Sequence, residues 1–106
     1  MIDDKTIFQR GEAIESRLRQ LGDVSDTPGV PGIWRGMMSD ADFRAKSLVR
    51  TWMEEAGLTV REDCFGNIYG RVEGQVSETI LTGSHVDTVK DGGLYDGACG
   101  VVTAIE

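Results

Sequence analysis

The amino-acid sequence predicts an α/β fold in which helices pack on a mixed sheet. Apolar residues recur at helical spacing in three stretches of the chain. Three short segments with the pattern of β-strands lie between the second and third of these stretches. The predicted order of helix, helix, hairpin, strand and helix is typical of an α/β sandwich.

The first predicted helix lies near the N-terminus. Thr6 and Gln9 have the spacing of a capping box, and Gly22 is placed to end the helix. The apolar positions between them recur near the helical period and are Ile7, Ile14, Leu18 and Leu21. Residues 22–36 contain both prolines and are expected to form a loop.

The second predicted helix has clear signals at both ends. Ser39 can cap its N-terminus, Asp40 and Asp42 suit its first turn, and Gly57 is the expected stop. The residues of its apolar stripe are Ala41, Ala45, Leu48, Val49, Trp52, Met53 and Ala56. This pattern predicts a helix with one face in the core.

A hairpin is expected after the second helix. Apolar and polar residues alternate over 58–61, which indicates a strand. Gly66 and Asn67 form a turn signal, and residues 68–72 have the pattern of a second strand.

A buried strand and a last helix are predicted near the end of the sequence. Residues 80–82 are apolar and partly β-branched, as in a buried strand. The helix beginning near Gly97 has apolar positions at Ala98, Val101, Val102 and Ile105. Because this helix needs a further partner for its apolar face, we expect the domain to be truncated.

Composition and charge narrow the possible functions. The 106 residues correspond to one small domain or part of a larger one. The net charge of −7 argues against nucleic acid as the main partner. The N-terminus has no apolar run, and no stretch has the length of a membrane span, so we expect a cytoplasmic protein without membrane contact. Cys64 and Cys99 lack a CxxC spacing and are expected to be unpaired, buried thiols.

Three residues near the predicted buried strand could carry chemistry. His85, the only histidine, follows that strand at its carboxyl end, where open α/β sheets bind ligands. Asp87 would lie on the same side of an extended chain and could hold the imidazole in one tautomer. Asp96 follows a glycine-rich loop and stands at the start of the last helix.

Each of these residues also has an ordinary structural explanation. A single histidine at a strand end is commonly a hydrogen-bonded structural residue. Asp87 suits a turn, and Asp96 before a glycine suits a helix cap. The residues by themselves leave both explanations open.

A resemblance to known proteins favours the metal-site interpretation. Residues 83–89 and 92–97, followed by Gly100 and Val101, resemble the metal-binding motif of a metallohydrolase superfamily. This superfamily contains aminoacylases, carboxypeptidase-G-type exopeptidases and carbamoyl-amino-acid hydrolases. The residues that resemble its allantoate amidohydrolase and N-carbamoyl-L-amino-acid hydrolase branch are 52–58, 66–74, Arg35 and Ser39.

The resemblance implies a specific fold and site. Residues 1–106 would form the N-terminal portion of a zinc-exopeptidase-like catalytic domain, without the rest of that domain or the dimerisation domain. His85 would bind one of two divalent ions, zinc or manganese, and Asp96 would bridge both. Asp87 would support His85 as a catalytic residue. The implied general base and further histidine ligands have no counterpart in this sequence, so the chain alone is expected to be inactive.

The implied reaction is hydrolysis of a C–N bond in a small ureido or carbamoyl compound. The substrate would be allantoate or an N-carbamoyl-L-amino acid, and the intact enzyme would be a homodimer. Two alternatives stay open at this point. One is an aminoacylase or dipeptidase of the same superfamily, and the other is a stand-alone binding module without catalysis.

Overall fold

The computed structural model describes all 106 residues and contains three helices and one two-stranded sheet. Helix α1 spans Asp4–Gly22 and helix α2 spans Asp40–Glu55. Strands β1, Thr59–Glu62, and β2, Ile68–Arg71, follow, and helix α3 spans Ala98–Ile105. The three helices and the hairpin appear in the predicted order.

Helix α1 begins earlier than the sequence predicts. Its N-cap is Asp3, whose carboxylate accepts a 2.7 Å hydrogen bond from the main-chain N–H of Thr6. Thr6 is therefore inside the helix, and the predicted cap at Thr6 is wrong because the acidic residue three positions earlier satisfies the free N–H group. Ile7 is exposed, whereas Leu18 and Leu21 are buried, so only the second half of α1 contributes to the core.

Helix α2 confirms the prediction at both ends. The Ser39 hydroxyl accepts a hydrogen bond from the Asp42 N–H at 3.2 Å. Gly57, just beyond the last turn, has a φ of +84°, which only glycine adopts without strain. The helix buries Ala45, Val49 and Trp52 against α1 and α3, and its neighbouring side packs against the hairpin.

The hairpin is the only sheet in the molecule. β1 and β2 pair antiparallel, with Val60 opposite Gly70 and Glu62 opposite Ile68. A Cβ atom at Gly70 would lie 2.8 Å from Leu58 Cδ1 and 3.0 Å from Met53 Sδ, so the hairpin approaches α2 closely at this glycine. The sheet is thus antiparallel and two-stranded, and the helices that pack on it agree with the predicted part of an α/β domain.

The predicted strand at residues 80–82 is absent. Ile80 and Leu81 are exposed, and residues 72–87 make no main-chain to main-chain hydrogen bond. A strand needs a neighbour to satisfy its N–H and C=O groups, and the 106 residues offer this segment none. The prediction of a buried strand is therefore wrong, because an apolar and β-branched sequence does not by itself supply a partner strand.

The core lies between the three helices. Its nine buried residues are Leu18, Leu21, Ala45, Val49, Trp52, Val86, Ala98, Val101 and Val102. Val86 is the only one outside a helix, and it fixes the His85–Asp87 loop, defined as residues 85–87, to the core.

Residues 23–36 form the predicted loop, but this loop also supports the segment that follows the His85–Asp87 loop. Ile33 and Gly92 pair as an antiparallel bridge, with hydrogen bonds of 2.9 Å and 2.8 Å. Gly32 packs so closely on Asp91 that a Cβ would lie 2.7 Å from its Cα. The loop therefore serves as a platform for residues 86–92.

Two further predictions can be compared with the structure. None of the helices combines the length and the apolar character that crossing a bilayer requires. Both cysteines are unpaired as expected, but Cys64 is exposed and Cys99 only partly covered. The prediction of buried thiols is wrong because Cys64 lies in the hairpin turn, outside the core.

Candidate metal centre

His85, Asp87 and Asp96 lie together, although no strand precedes His85. The buried side chain of Val86 holds the His85–Asp87 loop against the helices. Asp96 reaches the same place because it comes just before Gly97, the N-cap of α3. The structure thus brings together all three residues singled out from the sequence, and their roles toward a metal remain predictions.

The two nitrogens of the His85 ring face different partners. Nδ1 lies 3.0 Å from the main-chain oxygen of Asp87 and 3.2 Å from its carboxylate Oδ1. Since both oxygens are acceptors and lie nearer than Asp96, the contacts favour the neutral tautomer with the proton on Nδ1 and the lone pair on Nε2. Asp87 therefore holds the imidazole in one tautomer, with its main-chain oxygen slightly nearer than its carboxylate.

Asp96 faces the other nitrogen of the ring. Its Oδ2 lies 3.7 Å from His85 Nε2, and its side chain is 85% exposed. The carboxylate makes no hydrogen bond to the start of α3, where Gly97 is the cap residue and no side chain caps the helix. The ordinary explanation of Asp96 as a helix cap is therefore wrong.

Gly97 allows the start of α3 to approach His85. Its φ is +71°, and a Cβ at this position would lie 2.5 Å from both Nδ1 and the main-chain oxygen of His85. Any side chain here would have to displace the imidazole. The glycine thus sets the distance between His85 and the start of α3, which Asp96 precedes.

The spacing of His85 and Asp96 fits a metal ion better than a shared proton. A hydrogen bond between nitrogen and oxygen spans about 2.7–3.2 Å, which is shorter than the 3.7 Å observed. Two ligands at about 2.0–2.2 Å from one tetrahedral zinc ion lie about 3.3–3.6 Å apart. A small adjustment of the exposed Asp96 side chain would complete this geometry.

These two residues are an incomplete ligand set. The chain contains no group of three or more His, Cys, Asp or Glu residues that could hold a metal ion. A structural zinc site needs four ligands, and a catalytic zinc site usually has three from the protein. The arrangement can therefore contribute to a metal centre but cannot complete one.

An open cleft of about 770 Å³ lies beside the His85–Asp87 loop. Its lining includes His85 and Asp87 on one side and residues of α2, β2 and α3 on the others. A small molecule can therefore reach the His85 side chain, which is 51% exposed.

Sequence reasoning missed the residues that hold this loop in place. Thr88 Oγ1 donates to the Ile33 oxygen at 3.0 Å and accepts from the Arg35 N–H at 2.9 Å. Arg35 donates from its guanidinium to the main-chain oxygen of Val86 at 2.6 Å. In the sequence Arg35 is singled out only by the family resemblance, and this role depends on a main-chain acceptor 51 residues away.

Comparison with known proteins identifies relatives of the chain. The chain is 48% identical over 98 residues to allantoate deiminase 2 of Glycine max, covering 91% of this chain and 20% of the relative. It is 42% identical over 99 residues to N-carbamoyl-L-amino acid amidohydrolase of Geobacillus stearothermophilus, covering 92% and 24%. This chain is a homologue of the allantoate deiminases and N-carbamoyl-L-amino-acid amidohydrolases.

A solved structure confirms the homology at the level of the fold. The crystal structure of AtUAH in complex with (S)-hydroxyglycine superposes with a TM-score of 0.82 at 38% identity, covering 90% of this chain and 23% of that one. No protein-family model matches the chain. The 106 residues of this chain span about a fifth of the length of the curated relatives that they match.

Proposed function

We propose that these residues supply part of the active site of a two-metal hydrolase that cleaves a C–N bond in a ureido or carbamoyl substrate. One observation carries the proposal. His85 Nε2 and Asp96 Oδ2 face each other at 3.7 Å, while Asp87 occupies the other nitrogen of the same ring. This arrangement of imidazole, metal-facing carboxylate and supporting carboxylate is common in metallohydrolases.

The three residues have distinct roles in this proposal. His85 would hold one divalent ion through Nε2, and Asp96 would help to hold this ion and a second one. Asp87 holds the Nδ1 proton, which keeps the ring orientation fixed and makes Nε2 a stronger ligand. Zinc or manganese suits a set of imidazole and carboxylate ligands. When bound, such ions lower the pKa of water to about 7 and polarise a carbonyl oxygen.

The names of the relatives support the substrate class. They include allantoate deiminase, N-carbamoyl-L-amino-acid amidohydrolase and ureidoglycolate hydrolase. The substrates in these names share a ureido or carbamoyl group. The alternatives of an aminoacylase, a dipeptidase or a stand-alone module have no such support.

A chimeric enzyme tests the proposal. The segment of the G. stearothermophilus amidohydrolase that matches this chain is replaced by the corresponding residues of this protein. We expect the chimera to hydrolyse an N-carbamoyl-L-amino acid when zinc or manganese is supplied. His85→Ala and Asp96→Ala should abolish this activity, and Asp87→Ala should lower metal affinity about 10–100-fold.

Lys90→Ala is the matched control for these variants. Lys90 is exposed, lies three residues after the His85–Asp87 loop, and places its ammonium group 5.3 Å from the centre of the Trp34 ring. The control chimera should keep its activity. A chimera that stays fully active with His85→Ala or Asp96→Ala would contradict the proposal.

A further inference from the structure

Arg35 is buried beneath the His85–Asp87 loop. Its residue surface is only 1% exposed, and its guanidinium donates to three main-chain oxygens. Nε donates to Val86 at 2.6 Å, and Nη1 donates to Leu21 at 2.6 Å and Val24 at 2.8 Å. Burial lowers the pKa of Arg35, and attraction to Asp42 and Asp87 acts in the opposite direction.

The three acceptors come from two parts of the fold. The Leu21 oxygen belongs to the last turn of α1, where carbonyl groups lack partners within the helix and a cation is favourable. The Val86 oxygen lies between His85 and Asp87. One guanidinium therefore connects the end of a core helix to the middle of the His85–Asp87 loop.

The main chain of Arg35 strengthens this connection. Its N–H donates to Thr88 Oγ1 at 2.9 Å, and its oxygen accepts from the Thr88 N–H at 2.8 Å. Asp87 is consequently held from both sides by one residue, through the Val86 oxygen before it and the Thr88 N–H after it. This fixes the main-chain oxygen of Asp87 that faces His85 Nδ1 at 3.0 Å.

We propose that Arg35 is a positioning residue that sets the orientation of the His85 ring by holding Val86 and Thr88 on either side of Asp87. Only the expected effect of Arg35 on metal binding rests on the proposed function. The orientation itself is a property of the metal-free chain.

Lysine cannot replace this arrangement. The donors of Arg35 are spread over Nε and Nη1 of a rigid planar fork, and they point to acceptors in different segments. The ammonium group of lysine places all of its donors at one atom beyond the position of Nε. Arg35→Lys therefore keeps the charge but loses at least one of the three hydrogen bonds.

NMR of the 106-residue chain tests the proposal directly because His85 is the only histidine. At a pH of about 8, where an ordinary imidazole with a pKa of about 6.5 is neutral, the two ring ¹⁵N shifts report the tautomer. In the unchanged chain we expect protonated Nδ1 and unprotonated Nε2. In Arg35→Lys we expect a mixture of tautomers, and zinc titration should show affinity about 10–100-fold lower.

Arg44→Lys is the matched control. Arg44 donates to the main-chain oxygen of Ser25 at 3.1 Å, in the loop of residues 23–36 to which Arg35 belongs. It makes no hydrogen bond to Val86 or Thr88. This variant should leave the ring shifts and zinc affinity unchanged. Amide signals of β1 and β2 report in each variant whether the fold is retained.

The outcomes separate this inference from the proposed function. The unchanged chain could take up no zinc while Arg35→Lys, and not Arg44→Lys, alters the ring shifts. Arg35 would then be a positioning residue, and the proposal of a metal site would be wrong. Unchanged ring shifts in a folded Arg35→Lys chain would overturn the inference. Equal effects of the two lysine variants, or global unfolding of Arg35→Lys alone, would overturn it too, because Arg35 would then act only on general stability.

Discussion

Gly97 is the single position where a side chain would collide with the candidate metal centre. Replacing it with alanine forces a left-handed φ of +71° on a residue with a Cβ and places that atom against the His85 ring. Strain of this kind costs about 1–3 kcal/mol. We expect Gly97→Ala to lower the free energy of unfolding by at least this amount, measured by urea denaturation, and to shift the His85 ring signals.

Gly93→Ala is the control for this substitution. Gly93 lies in the same loop, has no left-handed φ, and a Cβ there would meet no atom within 4 Å. Its effect should stay within about 0.5 kcal/mol. Similar losses in both variants would show that the loop tolerates no side chain in general, and that the contact with His85 is not the cause.

The site residues differ in how far the sequence reveals them. His85, Asp87 and Asp96 could be predicted because their residue types and the glycines between them form a local motif. The contact of Arg35 with Val86 joins positions 51 residues apart, and its acceptors are main-chain oxygens. Every residue has a main-chain oxygen, so the residue type does not identify the acceptor, and only the folded chain reveals this partner.

At the scale of elements, the N-terminus of α2 depends on Ser39. Its hydroxyl accepts from the Asp42 N–H at 3.2 Å, and alanine would leave this donor without a partner. We expect Ser39→Ala to lower the free energy of unfolding by about 1 kcal/mol and Ser39→Asp to preserve it. Ser47→Ala, which changes an exposed serine inside the same helix, should have almost no effect in the same denaturation experiment.

The hairpin turn provides a pH-dependent contribution to stability. The pKa of Asp63 falls from 3.8 to about 2 because Asn67 donates from its side chain and main chain, with further help from the Phe65 N–H and the Tyr69 hydroxyl. Since the pKa is lower in the folded state, this contribution is fully present above about pH 4. It should disappear as the pH falls toward 2.

The carboxyl ¹³C shift of Asp63 measures this pKa directly. In Asn67→Ala the side-chain donor is lost, so the Asp63 midpoint should rise toward 3.8 and the hairpin should lose order at a higher pH. An unchanged chain that titrates at 3.8 would mean that the turn hydrogen bonds do not persist in solution.

Elements were predictable where their signals are local. The capping serine and glycine stop define α2, and the turn at Gly66 defines the hairpin. The start of α1 was misplaced because Asp3 and Thr6 are both good caps, and only the structure shows which one is used. The predicted strand at residues 80–82 is absent because a strand exists only beside a partner, which the residue types do not reveal.

At the scale of the whole molecule, the proposed metal site has only two ligands from this chain, His85 and Asp96. His85 is its only histidine, and no cluster of three ligand residues is present. An ion held only by His85 and Asp96 would be bound weakly and would exchange readily with solvent. On the proposed function, the fold positions two ligands of a metal centre and does not complete the ligand set.

We therefore expect the isolated 106-residue chain not to hydrolyse allantoate or N-carbamoyl-L-amino acids, even with added manganese or zinc. The family resemblance implies a general base that has no counterpart among these residues, and such a group alone contributes about 10²–10⁴-fold. Ammonia release is measured against a His85→Ala chain, with the active chimera as the positive control. Metal-dependent release above the His85→Ala background would show that two protein ligands suffice, and the requirement for further residues would be wrong.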